Sequence, residues 1–294
     1  MVKPRVVVIA GPTAAGKTAV ALALARRDNG TIINADASQL YADLRIVTAR
    51  PSPADEASVP HLLYGILDGA DVCDAARWAR LARAAIAATL ATGRLPIVTG
   101  GSGLYLRALI DGIADVPPIG AAVRSAVRAM DAAAARAALT VEDPGAGVTD
   151  PQRVARALEV VRSTGRSLRE WQADATGGLD AAIDGYVVDR PRPDLHARID
   201  TRLAAMIAGG ALDEVAALAK RGLAADAPVM KAIGVAALLA ASRGEITLDT
   251  AVAATAAATR RYAKRQSTWF RNQTPAWRPA EYAGLTLFPG MFPQ

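Results

Sequence analysis

The chain holds a single cysteine, Cys73, among 294 residues. One thiol excludes a disulfide within the chain and a zinc site built on cysteines, and it suits a reducing cytosol. Aromatic residues make up only 4 %. There are two histidines, His61 and His196; they lie far apart and are read as structural. No apolar run approaches the ~20 residues that span a bilayer. Met1-Val-Lys-Pro-Arg5 leads almost at once into an apolar strand pattern, unlike a secretory leader. The expectation is a cytoplasmic protein with no membrane association. Acidic residues are missing from one long stretch. Between Ala251 and Arg278 there is no Asp or Glu, whereas Arg260, Arg261, Lys264, Arg265, Arg271 and Arg278 are all basic. That local excess equals the net charge of the whole chain, +6. It fits a polyanionic partner or a solvated basic helix face.

What is present is apolar and helix-prone. Hydrophobic residues make up 52 %, much of it Ala, the strongest helix former. The segment Gly11-Pro-Thr-Ala-Ala-Gly-Lys17-Thr18 fits G-x-x-x-x-G-K-[ST]. The run Val6 to Ala10 before it reads as a buried strand, and Ala19 to Arg27 after it as a helix stopped at Asn29-Gly30. Strand, glycine loop and helix together cradle phosphate. Backbone N–H groups turn inward, the helix N-terminus adds a favourable field, Lys17 adds a full charge, and the Thr18 hydroxyl can hold Mg²⁺. Which phosphate compound binds is not written in the motif.

Two more strand-like runs end in polar loops. Thr31 to Asn34 feeds Ala35-Asp36-Ala37-Ser38-Gln39, and Pro96 to Thr99 feeds Gly100-Gly-Ser-Gly103 ahead of a helical run, Leu104 to Ile110. A further helix is expected over Ala75 to Ala91. Alternating strand and helix predicts an α/β core with a mostly parallel sheet. Ligands of such sheets bind beyond the carboxyl ends of the strands, so Lys17, Asp36 and Ser102 are expected to face one cleft. After Ile110 the alternation stops and Pro117-Pro118 marks a break. Asp150 is the expected N-cap of a helix with Pro151 in its first position and Val154, Leu158 and Val161 on one side. Tyr186 to Val188 returns to strand. The reading is a P-loop core over residues 1–112 and 185–294, with an all-helical insertion over 113–184.

Asp36, beside the phosphate loop, could hold Mg²⁺, act as a general base, or simply cap a turn. Arg198 and Arg202 share a helix face and form either a charge clamp or a surface ion-pair pattern. Over Arg260 to Arg271, a helix places Arg261, Lys264, Arg265, Thr268 and Arg271 on one stripe, with Tyr262, Gln266, Trp269 and Phe270 to one side. It can pack its aromatic side inward and offer the basic stripe to phosphates. Gln152, Arg153 and Arg156 are a second candidate. A P-loop kinase of a small metabolite or nucleotide also fits the phosphate loop. An RNA-binding protein with a P-loop switch is a third reading.

Taken in order, the motifs resemble the bacterial tRNA dimethylallyltransferase (tRNA isopentenyltransferase) family. They are Gly11 to Thr18, Asp36-Ala-Ser-Gln-Leu-Tyr41, Thr48-Ala-Arg-Pro51, Gly100-Gly-Ser-Gly-Leu-Tyr105, Asp150 to Glu159, Arg198-Ile-Asp-Thr-Arg202, Ala232-Ile-Gly234 and Lys264 to Arg271. The resemblance implies transfer of a dimethylallyl group from dimethylallyl diphosphate to N6 of the adenosine just 3′ of the tRNA anticodon, with diphosphate released and Mg²⁺ assisting. It implies catalytic roles for Asp36, Ser102 and Arg202. Gly11, Pro12, Thr13, Ala14, Ala15, Gly16, Lys17 and Thr18 would bind diphosphate rather than ATP, with Thr18 toward the metal. Asp36, Ala37, Ser38, Gln39, Ser102, Arg124, Gln152, Arg153, Val154, Ala155, Arg156, Lys264, Arg265 and Arg271 would meet the anticodon stem-loop. A cytoplasmic monomer is implied. Ser102 stands where Thr is usual, Ala37 where Ser is common, Val47 where Gly is typical and Val235 where Tyr usually follows Ala-Ile-Gly.

Overall fold

A computed structural model describes residues 3–114, 116–174 and 176–280. Met1 and Val2, on which part of the N-terminal reading rests, lie outside them. The chain divides into two compact units, 1–106 with 180–294, and 107–179.

The larger unit is built on a six-stranded sheet. Its strands are β1 (Arg5–Ala10), β2 (Gly30–Asn34), β3 (His61–Leu62), β4 (Leu95–Gly100), β7 (Ala182–Val187) and β8 (Arg278–Pro279). Their order is β3-β2-β4-β1-β7-β8 and every pairing is parallel. The remaining strands, β5 (Gly112–Ile113) and β6 (Thr176–Gly177), pair antiparallel in the smaller unit. Parallel strands covered on both faces read as unbroken apolar runs; accordingly Val6, Val7, Val8, Ile9 and Ala10 are fully buried.

The helices of the larger unit are α1 (Lys17–Arg27), α2 (Pro53–Ser58), α3 (Ala75–Ala91) and α4 (Gly103–Ile110), whose last turn enters the smaller unit, then α9 (Arg192–Ala208), α10 (Ala211–Lys220), α11 (Val235–Ser242) and α12 (Leu248–Gln273). Asp74 caps α3 by accepting from Arg77 N–H, so a side chain fixes where that helix begins.

The smaller unit packs α5 (Ala121–Arg128), α6 (Ala132–Glu142), α7 (Pro151–Thr164) and α8 (Leu168–Ala173). Its own core gathers Val127, Ala135, Leu139, Val154, Ala157 and Leu158. Asp150 caps α7 through Arg153 N–H, with Pro151 in the first turn. Two details differ from the sequence reading. The insertion is not wholly helical, because the β5–β6 pair closes its two ends on each other. The return to strand comes at Ala182 rather than Tyr186, since Ala182–Val187 register against Arg5–Ala10 over six positions. The first residues of that strand, Ala182-Ile-Asp-Gly185, are too mixed to show as a strand pattern.

Candidate active site

The loops that leave the carboxyl ends of β1 and β2 and the end of β4 line one cleft together with α9, which follows β7, in keeping with the sheet rule. The cleft has a volume of about 880 Å³ and is lined in part by Lys17, Thr18, Asp36, Tyr64, Arg202 and Tyr262.

The phosphate loop is shaped by its glycines. Gly11 has φ +143°, and a Cβ there would sit 2.1 Å from the Val188 carbonyl oxygen. No side chain fits, so the loop can lie directly against the end of β7. Gly16 and Ala14 also take positive φ, +108° and +65°. Gly16 precedes α1 with no side-chain cap, which leaves the first N–H groups of that helix for a ligand.

Lys17 Nζ donates to Pro12 O at 2.8 Å, holding the ammonium over its own loop. Burial, with Arg202 nearby, pushes its pKa down to about 8 against the opposing pull of Asp36. Three arginines fringe the loop. Arg202 donates to Thr13 Oγ1 at 2.7 Å, Arg198 Nε to Ala14 O at 2.8 Å and Arg190 Nε to Ala15 O at 2.7 Å. Desolvation lowers the Arg202 pKa. The Arg198–Arg202 pair therefore faces the phosphate loop as a clamp rather than forming a surface ladder. Arg190 was not singled out in the sequence; only the tertiary fold brings it from the β7–α9 connection to Ala15.

Asp36 follows β2 and caps the short 3₁₀ turn Ala37–Leu40. Its Oδ1 accepts from Ser38 N–H at 3.0 Å and Ser38 Oγ at 2.7 Å, and among the described residues Oδ2 has no such bond. The turn is locked from behind. Asn34 Oδ1 accepts from Asp36 N–H at 2.8 Å, while Asn34 Nδ2 donates to the Asp36 and Leu63 carbonyls, each at 3.0 Å. Trp78, fully buried, donates to Asn34 O at 3.0 Å and stacks on Tyr105 with centroids 4.7 Å apart. Capping and service as a base are thus compatible, because they use different oxygens.

Ser102 lies beside Ala37, which lines the cleft, and its Oγ accepts from Ala37 N–H at 3.0 Å. Gln39 spends its amide on the Thr48 and Ala49 carbonyls, at 2.8 and 2.9 Å. Gln266 on α12 is buried; it accepts from Thr13 N–H at 2.8 Å and donates to Gly101 O at 2.9 Å. A Cβ on Gly101 would lie 2.1 Å from that amide. The position of Gln266 on the inward side of the aromatic stripe was legible, but its bond to the phosphate loop was not.

On α12, Arg261, Lys264, Arg265, Thr268 and Arg271 are exposed, while Ala263, Gln266 and Phe270 are buried and Tyr262 and Trp269 are half-buried. In the helical unit, Arg124, Gln152, Arg153 and Arg156 are exposed and Ala155 is half-buried. Val154 points inward, 1 % exposed, so its side chain serves packing and supports the turn that carries its polar neighbours. Glu159, also buried, pairs with Arg128 at 3.0 Å and lies 3.9 Å from Arg156.

The family model described as IPP transferase matches residues 39–273. The chain belongs to that family. It is 53 % identical over 286 residues to a tRNA dimethylallyltransferase of Sphingopyxis alaskensis, covering 95 % of this chain and 94 % of the relative. It is 52 % identical to the protein of that name from Rhodospirillum rubrum, over 91 % of this chain and 85 % of the other. Among solved structures it resembles the tRNA isopentenylpyrophosphate transferase of Bacillus halodurans, with TM-score 0.68, 32 % identity, and coverage of 94 % of this chain and 89 % of that one. It also resembles a eukaryotic dimethylallyltransferase acting on tRNA, with TM-score 0.78, 25 % identity, and coverage of 91 % and 70 %.

Proposed function

We propose that this protein transfers a dimethylallyl group from dimethylallyl diphosphate to N6 of the adenosine immediately 3′ of a tRNA anticodon, releasing diphosphate. The observation that carries the reading is the cleft that joins a phosphate cradle, fringed by Lys17, Arg190, Arg198 and Arg202, to a carboxylate with one oxygen unengaged, Asp36.

The adenine amino group is a weak nucleophile, because its lone pair is shared with the ring. Asp36 accepts the proton it loses as the C–N bond forms. The allylic carbon tolerates positive charge, so the barrier lies mainly in separating that carbon from the departing diphosphate. Loop N–H groups, Lys17, the three arginines and the Ser102 hydroxyl stabilise the negative charge growing on the leaving group. The exposed Thr18 hydroxyl at the start of α1 lines the cleft; with phosphate oxygens beside it, that donor set fits Mg²⁺. The ion, when bound, neutralises part of the diphosphate charge. The reacting base has to leave its stack to enter such a cleft.

The basic stripe of α12, with Lys264, Arg265 and Arg271, is the surface proposed for the phosphates of the anticodon stem-loop. Arg124, Gln152, Arg153, Ala155 and Arg156 of the helical unit form a second such surface. Ala37, Ser38 and Gln39 are proposed to border the flipped base. We propose that the protein works as a cytoplasmic monomer. The test is incubation with unmodified tRNA, Mg²⁺ and dimethylallyl diphosphate, followed by mass analysis of digested nucleosides. Prenylated adenosine at the position after the anticodon supports the reading. Its absence, or ATP turnover on a small acceptor instead, overturns it.

A further inference from the structure

We propose that Glu214 is a positioning residue that limits the length of prenyl chain the cleft accepts, by fixing the turn at residues 47–49 as one wall; this rests on the transfer reaction proposed above. Helix α9 gives the cleft a direction. Its Arg198 and Arg202 reach the phosphate loop, at Ala14 O and Thr13 Oγ1. Leu203 and Met206 follow on the same side of that helix and also line the cleft. Met206 lies about 6 Å, one turn, beyond Arg202. Ala211 of α10, with Ile233 and Leu238 at and just before α11, continues this apolar lining, and α10 packs against both α9 and α11. A diphosphate held at the loop thus has beside it a surface that favours a hydrocarbon tail.

Val47, Thr48 and Ala49 line the same cleft. Their turn sits at the corner between α9 and α10, where a Cβ on Gly210 would lie 3.9 Å from Ile46 Cδ1. Ala49 takes φ +53°. That left-handed conformation is unfavourable for a residue with a Cβ and persists only where its surroundings hold it. Glu214, in the first turn of α10, supplies the hold. Its Oε1 accepts from Arg45 N–H at 2.6 Å and from Ile46 N–H at 2.8 Å, and its Oε2 accepts from Val47 N–H at 2.8 Å. Thr48 Oγ1 donates back to Leu44 O at 2.7 Å, and the Gln39 amide donates to the Thr48 and Ala49 carbonyls. A turn bonded through both its N–H and its C=O groups does not retreat from a longer chain. The hold needs a carboxylate. Glutamine has one acceptor oxygen, and its amide donors would meet backbone N–H groups, so the turn loses bonds and the wall yields.

The test compares dimethylallyl diphosphate with geranyl diphosphate, one isoprene unit longer, as donors to unmodified tRNA. The chemistry is the same for both: the C–O bond to diphosphate breaks, the bond to N6 forms, and Asp36 takes the proton. The readout is the ratio of the two kcat/KM values. The unmutated chain is expected to favour the shorter donor, and Glu214→Gln to reduce that preference roughly tenfold. A variant that is merely less stable loses activity with both donors alike and leaves the ratio where it was. Val47→Ala widens the same wall without touching the backbone bonds of the turn, and is expected to move the ratio in the same direction. An unmutated chain that uses both donors equally overturns the inference, and so does an unchanged ratio in Glu214→Gln. Where that variant does not fold, an unchanged ratio in Val47→Ala overturns it instead. An unmutated chain that transfers neither group overturns the underlying reading, a failure visible without any variant.

Discussion

Thr13 and Gln266 are 253 residues apart in sequence, yet the Thr13 N–H donates to Gln266 Oε1 at 2.8 Å. The same side chain donates to Gly101 O at 2.9 Å. One buried amide thus fastens the phosphate loop, the loop after β4 and the C-terminal helix together. Replacing it with Leu leaves a backbone donor and a backbone acceptor without partners. Gln266→Leu is expected to lower unfolding stability by about 2 kcal/mol, read as a shift of the urea midpoint. The KM for donor diphosphate is expected to rise with it, because the loop proposed to bind it is no longer anchored. An unchanged midpoint would show that the three segments hold their positions without this amide.

In the proposed reaction Asp36 offers Oδ2 to the amino group, while Oδ1 holds the turn through Ser38. Asp36→Ala is therefore expected to slow transfer by ~10²–10⁴. tRNA binding, measured by filter retention or anisotropy, stays near the wild-type level. Full turnover in that variant would remove Asp36 from the chemistry.

The Lys17 ammonium, pushed down to about 8 from 10.5 by burial, makes donor binding sensitive to pH. Above that value the free enzyme loses the charge proposed to meet diphosphate. The kcat/KM for donor is expected to fall as pH rises through about 8, and Lys17→Arg should move that decline to higher pH. The stability term runs the other way. Between about 8 and 10.5 the unfolded chain holds more protons at this residue, so its contribution to folding stability grows as pH rises through that window. A flat donor profile from pH 7 to 9.5 would show that Lys17 stays charged in the free enzyme.

Arg265 and Arg271 are exposed on the outward stripe of α12. Neutralising either to Gln is expected to weaken tRNA binding and to reduce the slope of log K against log salt by roughly one unit. The kcat at saturating tRNA should change little, since neither residue holds the diphosphate loop. Equal salt slopes for variant and parent would exclude phosphate contact at that residue.

The order of local elements was legible because each carries its own signal. The phosphate loop has glycines where the backbone needs positive φ. The helix α3 begins at a capping aspartate, and α7 opens with Asp150-Pro151. The inward and outward sides of α12 follow from helical spacing alone. Asp36 could be singled out for its place after a strand, although the sequence left open whether it capped, bound metal or acted as base. The weak edges were the short strands. β3, β6 and β8 have two residues each, too few for a pattern, and β7 carries polar residues that hide its start.

What the sequence determined by itself was therefore the periodic and the local: strand, glycine loop, helix, cap and basic stripe, all set by residues within a few positions of one another. Only the tertiary structure decided which distant groups share one cleft. Arg190 and Arg202 reach the phosphate loop from the β7–α9 connection and α9, Gln266 reaches it from α12, and Tyr262 lines the same cleft, because parallel strands deliver all their carboxyl ends to the same edge of the sheet. Such contacts depend on where whole elements pack, and no spacing along the chain encodes that packing.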